Sequence, residues 1–306
     1  MKIDKKFILS FFIFIALLNG NPSGGYPGAF LNMRVSPTSK SMGGIGVALP
    51  LQTGPMYSNP AGLAIAKQRQ AEFNYFFLSL DREMNYIGYS TPIEPAGGIG
   101  LAWIHSGVDN IQGRNNMGLK TKKYQTGQDV FLISLSTSFS EKLSLGVSAK
   151  ILRNNMLDIT GTGVGIDIGA LYRVSSNLTF GLNLRDVNSG YQWKTNKVFG
   201  QDDGQSYKEK FPLKGLAGIA WSNSNYTVSY DLEYTSKGVL RNHIGAEYNY
   251  NESAYLRAGF DNLRPTFGGG LKYKIFNNIQ TNLDYCFLIG TLGQGETHIF
   301  SWKFLF

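Results

Sequence analysis

The sequence predicts an all-β protein: a transmembrane antiparallel β-barrel of about fourteen strands, preceded by an N-terminal hatch or plug segment. Three observations lead there. The first is strict alternation. Tyr226, Val228, Tyr230, Leu232 and Tyr234 interleave with Thr227, Ser229, Asp231 and Glu233, and the pattern recurs over 279–287 and 300–306, as expected for strands with one apolar and one polar face. The second is rhythm. Tight connections (140–142, 175–176, 223–225 and 277) and long ones (107–127, 187–210 and 289–296) fall on opposite ends of the strands, as the two rims of a membrane barrel require. The third is charge. Lys150, Asp167, Arg173, Arg185, Asp231, Glu233, Lys272, Lys274, Asp284 and Lys303 all lie on the polar parity, whereas a lysine or arginine turned to mid-bilayer lipid costs roughly 2–4 kcal/mol.

The strands are expected near 70–79, 83–91, 97–106, 128–139, 143–153, 163–174, 177–186, 211–222, 226–235, 239–250, 253–261, 266–276, 278–288 and 297–306. Most match the roughly 9–11 residues that a tilted strand needs to cross hydrocarbon. Tyr172, Trp221, Tyr226, Tyr234, Tyr273 and Trp302 lie near strand ends, where interfacial girdles form. The even count puts both termini on the tight-turn side, which is the periplasm if the membrane is a bacterial outer membrane.

Residues 1–20 read as a secretory signal. Lys2, Lys5 and Lys6 precede a charge-free, mainly apolar stretch over 7–18, too short for the roughly 20 residues of a membrane helix. The signal carries three lysines and one aspartate, so the formal charge of +8 falls to +6 on its removal. Cys286 is the only cysteine, which rules out a disulfide within one chain.

Residues 21–69 form the expected hatch and residues 70–306 the barrel. The hatch does not alternate and is rich in Gly, Pro and Ser. It contains Met42-Gly43-Gly44 and, after Ser58, Asn59-Pro60-Ala61-Gly62-Leu63. Glycines permit tight turns and Asn-Pro starts one. Met42, Ile45, Val47 and Leu63 would be wasted in a solvated tail.

These two motifs resemble the N-terminal signature of the PorV/PorQ family of outer-membrane proteins, relatives of the FadL-like fourteen-stranded barrels. Residues 165–172, 180–186 and 211–214 are similar to that family's central block. Family members usually carry acidic residues before Asn-Pro, where this chain has Leu51-Gln52-Thr53-Gly54-Pro55, so no role tied to an acidic pair carries over. The resemblance implies an outer-membrane protein acting beside a type IX-like secretion machine, or else a lateral route for hydrophobic molecules.

A lumen made for greasy ligands should be apolar on the inward parity. Here that parity is mostly Ser, Gly, Asn, Thr and charge, with Leu152 and Leu171 as exceptions, which favours binding of secretion subunits or secreted cargo over transport. Tyr191, Trp193 and Phe199 in the 187–210 connection are the expected partner or ligand contacts. Phe76, Leu78, Trp103 and Ile104 could form a local pocket for a hydrophobic ligand. Gly97, Gly98 and Gly100 mark either a kink opening the wall or close packing. Arg114, Lys120, Lys122 and Lys123 suit anionic lipopolysaccharide or a solvated loop equally.

Little points to catalysis, a metal or a cofactor. His105, His243 and His298 sit on different strands. His243 shares its parity with Arg241 and Glu247, a grouping that more often pairs structurally in a barrel. Gly161-Thr162-Gly163-Val164-Gly165 misses dinucleotide spacing and reads as turn glycine. Scattered cations and an export signal argue against nucleic acid.

Overall fold

The computed structural model describes residues 25–196, 198, 200, 204–276, 279–290 and 295–306. The signal segment, residues 21–24 of the hatch, and Phe199 lie outside these. Sixteen strands follow one another as β1 (Gln70–Phe77), β2 (Arg82–Ile93), β3 (Gly97–Arg114), β4 (Lys120–Ser138), β5 (Leu143–Met156), β6 (Ile159–Arg173), β7 (Leu178–Val187), β8 (Gly190–Lys194), β9 (Ser206–Lys210), β10 (Lys214–Ser222), β11 (Tyr226–Thr235), β12 (Leu240–Tyr250), β13 (Ala254–Asp261), β14 (Arg264–Phe276), β15 (Ile279–Leu288) and β16 (Thr297–Leu305). Fourteen of them form the wall. Each pairs antiparallel with its neighbours, β7 pairs with β10, and β1 pairs with β16 to close the ring. Closure leaves no edge in the hydrocarbon, the condition under which strands can span lipid.

The two remaining strands correct the expected loop at 187–210. They form a hairpin, β8 with β9, joined to β6 through Thr160, Gly161 and Thr162. The 107–127 connection is also shorter than expected. The β3–β4 ladder continues through it past irregularities at 108–111 and 112–114, and only 115–119 turns back.

Parity sorts as the alternation predicts. Phe73, Leu101, Ile133, Ile151, Leu182, Val228, Leu256 and Trp302 are exposed on the outer wall, and Lys150, Asp167, Arg185, Asp231, Glu233, Asp284 and Lys303 are buried inside. No helix among the described residues is long and apolar enough to cross a membrane.

The hatch fills the lumen as a series of short helical turns. Pro37, Pro50, Pro55 and Pro60 each open one, because proline suits the first turn of a helix and its fixed φ pre-sets it. Gly43 and Gly44 reverse the chain at φ 72° and 88°, a region that side chains rarely adopt.

Two substitutions on one strand test the membrane depth. Ile133→Lys at the middle of the outer β4 face is expected to cost about 2–4 kcal/mol, and Thr137→Lys near the turn rim about 0–1 kcal/mol, read from urea unfolding in lipid vesicles.

Candidate lumenal passage and its two closures

Inside the wall the side chains divide into two sectors. From β15 and β16 around to β5, the inward residues Phe76, Met84, Tyr86, Ile104, Val130, Leu132, Leu152, Cys286 and Ile299 form one buried apolar cluster with Met56, Tyr57 and Leu63 of the hatch. The inward parity is mostly polar, as expected, but within it Leu152 is part of a continuous greasy sector and not an exception. Phe76 and Ile104 belong to it, and Leu78 packs at its edge. Trp103 does not. It lies between inward Ala102 and Ile104 on the outer parity, stacked on Phe131 with its indole N–H donating to Asp129 at 3.0 Å, so it cannot touch a lumenal ligand.

The opposite sector is ionic. Lys150 bridges Asp167 at 2.6 Å and Asp186 at 2.5 Å, and Lys214 reaches Asp186 at 3.2 Å. Arg257 joins Glu247 at 2.6 Å and Asp284 at 2.5 Å. Every one of these charges is buried, where an unpaired charge would cost several kcal/mol. His243 is drawn into this packing. It contacts the Gly43 carbonyl at 2.7 Å, Asp261 at 3.2 Å and Arg34 at 3.3 Å, while Glu247 is taken by Arg257. The triad of His243 with Arg241 and Glu247 is therefore not assembled around His243.

The hatch is the first closure, and its polar anchors run mainly to the ionic sector. Gly46 and Val47 donate their backbone N–H groups to one Asp231 oxygen at 2.7 and 2.9 Å. Arg34 pairs with Glu233 at 2.8 Å and Lys40 with Asp261 at 2.9 Å. Gly43 N–H donates to Thr266 at 2.9 Å. Asn59 caps the turn that starts at Pro60, its oxygen accepting from Ala61 N–H at 3.2 Å, and its amide donates to the carbonyls of Val47 at 2.8 Å and Ala170 at 3.1 Å. The wall meets the motif with glycines. A Cβ on Gly245 would strike Met42, one on Gly259 would strike Gly43, one on Gly146 would strike Pro60 and Ala61, and one on Gly169 would strike Asn59, while Gly62 packs under Pro50.

Against β2 and β3 the contact has another character. Met56 and Leu63 press on Gly98 and Gly100. Both neighbours of β3 pair in unbroken register through Gly97, Gly98 and Gly100. The wall has no kink there, and Gly98 and Gly100 serve to admit the hatch.

The β8–β9 hairpin is the second closure. Tyr191 is 1 % exposed, its ring 5.0 Å from that of Phe211, and burial holds its phenol pKa well above the usual value. Trp193 donates its indole N–H to Glu209 at 3.0 Å and covers Gly161. Residues 189–190 lie directly on Gly163 and Gly165. This glycine run is therefore a mid-strand seat for the hairpin and not a turn. The expected contact residues Tyr191 and Trp193 thus pack on their own barrel. Their aromatic signal was visible in the sequence; the inward direction was not, because it depends on Asp186. Arg185 and Asp186 both point inward, Asp186 at φ 63°, where the β6–β7 register shifts. Arg185 also lies 3.9 Å over the ring of hatch residue Tyr57, so the two closures share one ionic cluster.

Asp231→Ala is expected to release the hatch. Hydrogen bonds to a charged group contribute about 1.5–3 kcal/mol each, so exchange of the Gly46 and Val47 amides should quicken at least about tenfold, while amides of the wall strands remain protected.

No family model matches the sequence and no curated protein matches it. Solved structures do. The monoaromatic hydrocarbon channel CymD is 15 % identical over 92 % of this chain and 98 % of its own, with a TM-score of 0.60. The toluene transporter TodX of Pseudomonas putida is 15 % identical over 88 % and 96 %, at 0.58. A Pseudomonas aeruginosa FadL homologue is 10 % identical over 89 % and 98 %, at 0.60. At such identities the likeness concerns architecture, and the architecture is that of a FadL-like fourteen-stranded antiparallel β-barrel.

Proposed function

We propose that the protein is a non-enzymatic outer-membrane channel for small hydrophobic molecules, with both termini in the periplasm and the β8–β9 hairpin at the cell surface. The observation that carries this reading is the apolar sector. It draws inward residues from β1–β5, β15 and β16, alongside buried charges such as Glu72 and Lys303 on the same strands, and offers a greasy ligand a continuous apolar surface inside the barrel. At its edge stand Phe30, Met33, Leu78, Trp193 and Leu288, only partly buried. Matching solved structures include channels named for monoaromatic hydrocarbons and toluene, a substrate class of the right size and polarity. The secretion reading loses support, since of the aromatics offered to a partner Tyr191 is buried and Trp193 partly buried against the barrel.

An apolar solute entering this sector leaves water and gains roughly 25 cal/mol for each Å² buried. Passage requires both closures to yield, which sets the rate and not the selectivity.

The test is uptake of toluene by vesicles containing the purified chain. Entry is expected to exceed that into empty vesicles. Tyr191→Ala, which thins the surface closure, should raise the rate, and Ile104→Asp with Val130→Asp should lower it at least about tenfold, with folding of each variant checked by heat-modifiable gel migration. Uptake by the wild type no faster than into empty vesicles would overturn the reading.

A further inference from the structure

One turn of the hatch spans the lumen at its tight-turn end. Pro50–Thr53 runs between two cavities, one of about 380 Å³ against β12, β13, β15, β16 and β1, the other of about 170 Å³ against β5–β7. Leu51, Gln52 and Ile65 line both. Gly54 ends the turn at φ 83°. A Cβ placed on it would lie 3.6 Å from the Tyr86 hydroxyl and 3.7 Å from Val35, both members of the apolar cluster. The turn therefore stands between that cluster and the tight-turn rim.

The chain on either side of the turn is held differently from the turn itself. Before it, Gly46 and Val47 donate to Asp231. After it, the Met56 carbonyl accepts from Ser148 at 3.3 Å and the Ser58 carbonyl from Asn183 at 2.6 Å. Between these pins the wall reaches the turn through Lys303, whose ammonium donates to the carbonyls of Leu51 at 3.3 Å and Gln52 at 3.0 Å. Glu72, 3.5 Å away, balances its charge. Facing β5–β7, residues 49–54 make no hydrogen bond to the wall among the described residues. The Thr53 hydroxyl donates to the Leu49 carbonyl at 2.9 Å and so closes the turn on itself. Its bond to Ser58 at 3.0 Å and the packing of Pro50 on Gly62 seat the turn on the rest of the hatch.

We infer that this turn is a movable strap latched by Lys303, and that an apolar molecule leaves the lumen along the barrel axis, past the strap. The route, though not the strap, rests on the channel reading above. The wall offers no exit at 97–100, where both neighbours of β3 pair without a break. Released from Lys303, the strap pivots at Gly54, whose missing side chain leaves its backbone free to turn. It swings toward β5–β7, where the smaller cavity receives Leu51, and the larger cavity then opens on Tyr86 and Val35.

Labelling by a water-soluble maleimide reads the strap directly. The full chain carries Cys286→Ala and, as reporter, Thr53→Cys at a position 1 % exposed. Removing the latch with Lys303→Met, paired with Glu72→Gln so that no buried carboxylate is stranded, should raise the labelling rate at least about tenfold. Ser41→Cys, buried where the hatch meets β14, should be labelled no faster. With the latch intact, Leu171→Trp fills the smaller cavity and should slow labelling of Thr53→Cys about tenfold. Heat-modifiable gel migration checks the folding of each variant. In vesicles of Tyr191→Ala, where the surface closure is thinned, toluene entry should rise about tenfold without the latch and fall about tenfold with Leu171→Trp. Unchanged labelling after latch removal, an equal rise at Ser41→Cys, or no slowing by Leu171→Trp would each overturn the strap. Toluene entry indifferent to both changes would overturn the axial route. Labelling is read whether or not toluene passes, so a failed strap and a failed channel leave different records.

Discussion

The pairing of β1 with β16 is the contact on which everything else rests. Gln70 opposite Leu305 through Phe77 opposite His298 turns an open sheet into a ring and removes the last unpaired backbone from the hydrocarbon. Closure fixes the circumference at fourteen strands, and that circumference encloses more space than inward side chains can fill from the wall alone. A folded segment must occupy the remainder, and every backbone polar group it carries must find a partner away from bulk water. The hatch meets that demand in two ways: its proline-led turns satisfy some groups locally, and the wall supplies partners for others, Asp231 accepting from the Gly46 and Val47 N–H groups and Asn74, Asn183 and Lys303 donating to hatch carbonyls.

The division of the lumen follows from the same demand. Where the wall supplies charge, it must supply both signs, and it does so in tight sets such as Lys150 with Asp167 and Asp186. Where it supplies hydrocarbon, the hatch can lean on it without any directional bond, as Met56 and Leu63 do on β3. One side of the plug is therefore held mainly by ionic and hydrogen-bonded contacts, and the other by packing with a few bonds, such as Asn74 to the Val35 carbonyl and Lys303 to the Leu51 and Gln52 carbonyls. These two kinds of contact respond differently to a hydrophobic solute, which competes with packing and leaves ion pairs untouched.

The strands were legible because each exposes one face to lipid and the other to a different medium, and alternation records that difference. Over 226–234 the record is complete. It fails where both faces are apolar: Ile99, Leu101, Ala102, Trp103 and Ile104 on β3, and Val130 to Ile133 on β4, are greasy on both parities, as strands buried on two sides generally are. Those double-sided runs were the available signal for the apolar sector. Parity was also silent at Arg185 and Asp186, where two successive residues turn inward and break the period of two. The Asn-Pro and Gly-Gly motifs marked the hatch correctly as a turn-rich insert, but the acid that receives it, Asp231, looked like any other lumenal charge, since its partners lie about 185 positions earlier in the chain.

That separation constrains how the molecule can come together. The hatch is made before any strand, yet its main acceptors stand on β11 to β14, and the ring itself closes only when β16 finds β1 across the whole length of the barrel. Contacts so distant in sequence are slow to form. Until the final strand is in place, the first one presents an open edge and the plug has no cage. Assembly must therefore hold its earliest-made segment in waiting for its latest-made one, and a chain released before β16 is added would expose at once a sticky strand edge and an unenclosed apolar insert.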